Sequence, residues 1–131
     1  MKVNKSWLER HLTELRSSDA EITRLQGSTE ASVLMIAPPP TGFEVSKNLA
    51  WCGPSAEVFF EMMRAVVPLT PNQFLIIPAS FRSKTTKMFK PSDAHLGRAI
   101  LADAAESQQI KAFVCIGGEA FKAYFGFGRK P

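Results

Sequence analysis

The chain has 131 residues, is 45% hydrophobic and 21% charged, and carries a formal charge of +4. That length suits one domain able to bury roughly two thirds of its unfolded surface, so neither a second domain nor a disulfide framework is expected. No apolar run approaches the roughly 18 residues of a membrane helix, and Met1-Lys2-Val3-Asn4-Lys5 lacks the apolar stretch of a signal peptide, which predicts a cytoplasmic protein with no membrane partner.

The chain opens with helical signals. Ser6 and Glu9 form a Ser-x-x-Glu capping pattern, and Leu8, Leu12 and Leu15 then share a face. Ser18 with Glu21 repeats the pattern, and Ile22 and Leu25 extend an apolar face to Gly27, so residues 1–30 read as a helical segment. Ser32-Val33-Leu34-Met35-Ile36-Ala37 is a continuous apolar run stopped by Pro38-Pro39-Pro40, the pattern of a strand buried on both faces. Gly53-Pro54-Ser55 starts a helix whose Val58, Phe59, Met62 and Val66 form a face, with the Met62-Met63 pair read as core. Gln73-Phe74-Leu75-Ile76-Ile77 before Pro78 is a second buried strand. A helix from near Ser92 carries Leu96, Ile100 and Ala104. Ala112-Phe113-Val114-Cys115-Ile116 is a third buried strand, and Gly117-Gly118 leads into a last helix from about Glu119 to Phe125.

Strands alternating with helices predict an α/β three-layer sandwich: a short, mostly parallel sheet of about three strands flanked by helices, in one domain spanning 1–131. In such sheets ligands bind beyond the carboxyl ends of the strands, so residues 38–53, residues 78–91 and the Gly117-Gly118 turn should share one rim.

Charge is concentrated on that rim. Residues 1–30, 31–80, 81–98 and 99–131 carry net charges of 0, −1, +4 and +1, so the excess sits in the segment that includes the second loop. There Arg82, Lys84, Lys87 and Lys90 can meet phosphates, Ser83, Thr85 and Thr86 can donate hydrogen bonds, and Phe81 or Phe89 can stack on a base. A solvated loop anchored by two phenylalanines is the competing reading. The amides of Gly117 and Gly118 face the rim where an anion can sit, although tight packing explains two glycines equally well. Trp51, in a rim loop just before a helix, is either a core plug or a stacking platform. Cys52 and Cys115 read as buried, inert thiols, and His11 and His95 as structural. No metal site or cofactor is expected, because neither histidine has partners at ligand or triad spacing.

Taken together, these segments resemble the uracil-DNA glycosylase superfamily, especially the branch whose members often carry an iron–sulfur cluster. Val33-Leu34-Met35-Ile36 followed by Pro40, Glu44, Trp51, Gly53 and Pro54 is similar to that family's first strand and the two loop motifs after it. Pro91-Ser92 resembles its proline-led third helix, and Ile116-Gly117-x-x-Ala120 through Tyr124-Phe125-Gly126 its Leu-Gly-x-x-Ala turn. The likeness spans roughly residues 33–126. It implies a glycosylase-like fold lacking the last strand and a base stacked on Trp51.

The catalytic parts depart from the family pattern. Pro38 stands where the water-orienting Glu belongs, and Pro78 where many members carry a base-reading Asn. The fourth strand with its His-Pro-Ser segment and the four cluster cysteines have no counterpart in the 131 residues. The resemblance therefore implies a degenerate site, in a domain that binds DNA or docks to a replication or repair protein, in the cytoplasm, a nucleoid or a viral replication compartment. It can equally be the leading part of a longer polypeptide. Two alternatives stay open: an active glycosylase of altered base preference that relies on Glu44, and an interaction module that pairs through its exposed sheet edge.

Overall fold

The computed structural model of the protein describes residues 6–18, 20–66, 73–81 and 95–125. Its elements, in chain order, are α1 (Ser6–Ser17), β1 (Gln26–Gly27), β2 (Val33–Ala37), α2 (Gly42–Lys47), α3 (Pro54–Val66), β3 (Phe74–Pro78), α4 (His95–Glu106), β4 (Ala112–Cys115) and α5 (Gly118–Phe125). The fold is mixed α/β with a small, mostly parallel sheet in the order β1-β3-β2-β4. Val33 pairs with Phe74 and with Ala112, so β2 lies between two parallel neighbours; β1 adds an antiparallel edge to β3.

The pleat divides the core in two. Leu34, Ile36, Leu75 and Ile77 pack with Leu8 and Leu15 of α1, Ile100, Leu101 and Ala104 of α4, and Ala120 of α5. Met35, Ala37, Phe74 and Ile76 face the other way, against Trp51 and against Ala56, Phe59 and Phe60 of α3. Alternate residues of β2 and β3 are thus buried by different layers, which accounts for their unbroken apolar sequence. Among the described residues no helix is long and apolar enough to cross a membrane.

Five expectations need correction. The sheet has four strands instead of about three, because Gln26 and Gly27 pair with Ile76 and Leu75. The second helical signal does not form a helix: the Ser18 amide and hydroxyl both turn back to the Leu15 carbonyl and close α1. The donors beyond it are taken by distant acceptors, with Glu21 and Ile22 N–H on the Phe81 carbonyl at 2.8 and 3.0 Å and Thr23 N–H on Asn48 Oδ1 at 2.7 Å. Tertiary bonds have outcompeted a local propensity. On α3, Val58, Met62 and Val66 are exposed, since the helix lays its aromatic side on the sheet. β4 is an edge strand buried on one side only, with Val114 exposed. Cys52 and Cys115 are half-buried, not fully buried, and burial pushes both thiols up.

Candidate functional site

Because β2, β3 and β4 are parallel and in register, Ala37, Pro78 and the region just past Cys115 end at one edge of the sheet. Ala79 N–H to Ala37 O (2.8 Å) and Ile116 N–H to Ile36 O (2.9 Å) carry the ladder one residue further before the chains diverge. The crossover helix α3, between β2 and β3, lies on one face and α5, after β4, on the other. In open α/β sheets, strand ends where the chain departs to opposite faces are the usual binding position.

Residues 38–53, which follow β2, contain α2 as well as loop. Thr41 N-caps α2, its hydroxyl accepting from Phe43 N–H. Glu44 returns the capping box: Oε1 accepts from the Thr41 amide at 3.0 Å and the Thr41 hydroxyl at 2.5 Å. Its other oxygen, Oε2, accepts from Gly53 N–H at 2.9 Å. At the far end Arg24 donates to the carbonyls of Lys47 and Asn48, both at 2.9 Å. A short helix of low intrinsic stability is thereby fixed at both termini.

Glu44 is 4% exposed. Burial opposes its ionisation, but the hydrogen bonds from the Thr41 hydroxyl, Thr41 amide and Gly53 amide outweigh burial and hold the carboxyl below the usual glutamate range. It is a structural carboxylate joining the start of α2 to the start of α3, with both oxygens already engaged. As the base of an active glycosylase it is poorly placed. The Thr41-x-x-Glu44 spacing is a sequence signal for this role that the loop reading of residues 38–53 passed over.

Trp51 is the plug of its two readings. It is 7% exposed and packs against Phe59 and Phe60, with ring centroids 5.1 and 5.7 Å away. Its backbone is left-handed, φ +44°, a conformation unfavourable for a bulky residue unless packing enforces it. Among the described residues of the rim loops Phe43 is the exposed aromatic: it is 46% exposed on α2, and Lys47 Nζ lies 5.8 Å from its ring centroid. An aromatic face beside a cation is the pairing that suits a nucleobase and its phosphate.

Phe81 is likewise an anchor, 2% exposed in the core shared by α1 and α4. Arg82, Ser83, Lys84, Thr85, Thr86, Lys87, Phe89 and Lys90 lie outside the described residues. Both attachment points of their segment are described: Phe81 leaves the tip of β3, and α4 begins at His95. An added Cβ on Gly97 would stand 3.5 and 3.7 Å from the Pro78 and Ala79 carbonyls, so the first turn of α4 rests on that same tip.

After β4, Gly117 (φ +89°) and Gly118 are exposed, and a Cβ on either meets nothing within 4 Å. Gly117 is required by its backbone angle; Gly118 opens α5. Away from the rim, His11 Nε2 bonds Asp103 Oδ2 at 2.6 Å and ties α1 to α4, a structural use that sequence separation concealed. No group of three or more His, Cys, Asp or Glu able to hold a metal occurs among the described residues. Compared with known proteins, the chain matches no family model and no curated sequence.

Proposed function

We propose that this protein is a DNA-associated domain that uses its carboxyl rim for binding and does not turn over a glycosidic bond. One observation carries the reading: residues 81–98, whose net charge of +4 equals that of the whole chain, connect the tip of β3 to α4, and the first turn of α4 rests on that same tip. In this reading Arg82, Lys84, Lys87 and Lys90 of that segment are the cations that meet phosphates. Phe43 and Lys47 supply an aromatic face and a further cation on the same side. DNA is preferred over other polyanions because of the resemblance to uracil-DNA glycosylases, whose catalytic positions here are Pro38 and Pro78. A replication or repair protein, or further chain, would then use the bound domain as a tether.

Fluorescence anisotropy against labelled oligonucleotides at several salt concentrations tests this. Affinity should fall linearly on a log–log plot, and Lys84→Glu with Lys87→Glu should weaken binding and flatten the slope by roughly two. Phe43→Ala should weaken single-stranded binding more than duplex binding. Salt-insensitive binding, or no loss in the double variant, would remove the proposal. Release of free base from a panel of modified oligonucleotides, abolished by Glu44→Gln in folded protein, would instead establish the glycosylase alternative.

A second reading has its own support. β4 ends the sheet order and carries no charged side chain, and Ala112 and Val114 are exposed on the face that α3 covers elsewhere. Val58, Met62 and Val66 lie on the flank of α3 opposite Arg64, which lines a cavity beside β1, so this apolar stripe is directed toward β4. An uncharged edge beside an apolar stripe suits a partner strand. Partner capture from nuclease-treated extract, lost in Val114→Lys, would favour it.

A further inference from the structure

We infer that a second site, at the opposite end of the sheet from the rim, binds a small apolar carboxylate. A cavity of about 260 Å³ opens between the end of α3 and the β1–β3 edge. Met35, Phe60, Met63 and Phe74 form its apolar interior, and Gln26 and Arg64 are its polar members. Phe60 and Phe74 are stacked, with centroids 5.4 Å apart and planes 18° from parallel, giving one flat, rigid wall. The rest of the interior is thioether, which adapts to the shape of a guest.

Size and charge then define the guest. An apolar cavity of about 150 Å³ takes benzene, whereas drug-sized sites begin at about 300 Å³, so this space fits one ring or a short alkyl chain with a small head group. Arg64 is exposed and has no carboxylate partner among the described residues, and the Gln26 side-chain amide has no hydrogen-bond partner among them. A guanidinium fork and an amide N–H₂ at the mouth of an apolar hole are complementary to a carboxylate whose tail enters the hole. Neither group has a comparable use for a neutral hydrocarbon. The site shares no residue with the rim, and its fate is independent of DNA binding.

The test is a titration of the full chain, labelled with ¹³C at the methionine methyls, with benzoate, octanoate and the neutral analogues benzyl alcohol and octanol. Saturable shifts of Met35 and Met63, with Met62 unmoved, are expected for the carboxylates. Arg64→Met, which keeps the apolar stem, should weaken carboxylate binding by roughly tenfold or more and leave the alcohols unchanged. Absence of shifts at Met35 and Met63 up to millimolar carboxylate would overturn the inference. Equal affinity for acid and alcohol in the native protein would overturn it too, and this readout needs no variant to fold.

Discussion

Gly53 N–H donates to Glu44 Oε2 at 2.9 Å, and a Cβ built on Gly53 would stand the same 2.9 Å from that oxygen. One residue thus supplies both the donor and the clearance that let a buried carboxylate join α2 to α3. Gly53→Ala should displace the carboxylate and cost about 1 to 2 kcal/mol, in the range of a lost helix cap. Glu44→Ala should cost about 1 to 3 kcal/mol, because it leaves the Gly53 amide unpaired in a buried place. Urea unfolding of both variants checks this; two wild-type midpoints would refute the linkage.

The same carboxylate sets an acid limit on stability. Hydrogen bonds hold the folded-state pKa of Glu44 below its unfolded value of about 4.3. The contribution is therefore complete above that unfolded value and is lost as pH falls through the lower folded value. Unfolding free energy measured from pH 6 down to pH 2 should fall more steeply in the native protein than in Glu44→Gln. Parallel curves would show that Glu44 is not the titrating group.

The three parallel strands were legible because each is a continuous apolar run closed by proline or glycine, and the shared rim follows from their alternation with helices. Elements that depend on distant partners were not. Residues 21–25 have an amphipathic helical pattern, yet the Glu21 and Ile22 amides bond the Phe81 carbonyl, more than fifty residues away, and the Thr23 amide bonds Asn48 Oδ1. On α3 two apolar stripes compete, Val58-Met62-Val66 and Ala56-Phe59-Phe60-Met63; the second wins because two aromatic rings bury more surface against Trp51 and Phe74. The link from Glu44 to α3 is not legible either, since nothing local says that Gly53 donates to its carboxylate.

Trp51 provides a check on plug against platform. Removing its ring should cost about 3 kcal/mol or more. Its left-handed backbone adds a second signature: Trp51→Gly should be about 1 kcal/mol less destabilising than Trp51→Ala, because glycine tolerates that φ. Chemical denaturation of the pair measures the difference. In a Trp7→Phe background, fluorescence of Trp51 should resist acrylamide quenching equally with and without oligonucleotide; protection gained only on adding DNA would reinstate the stacking role.

The His11–Asp103 bond should behave as a genuine coupling between α1 and α4. His11 is 12% exposed and Asp103 35%, and they meet at 2.6 Å. Arg10 approaches the same oxygen at 3.9 Å and is 72% exposed. A double-mutant cycle to alanine should give about 1 kcal/mol for His11 with Asp103. Arg10 with Asp103 should give a few tenths at most, since solvent screens an exposed pair. Equal couplings would mean that charge alone, not the short hydrogen bond, holds the helices together.

Gly27 and Gly118 make opposite predictions for one chemical change. At Gly27, φ is +106° and an added Cβ would lie 2.1 Å from the Phe74 carbonyl oxygen, which also accepts from Ser28 N–H at 2.9 Å. No flexible side chain can yield there, so Gly27→Ala must shift β1 away from β3, at a cost of at least about 2 kcal/mol. At Gly118 the new methyl meets nothing within 4 Å on a helical residue, and Gly118→Ala should be neutral or stabilising by up to about 1 kcal/mol. Thermal melts of the two variants separate these outcomes. Hydrogen exchange then locates the damage: faster exchange at the Gln26–Ile76 pairing is expected in Gly27→Ala, and protection there equal to wild type would show that β1 is not held by this close approach.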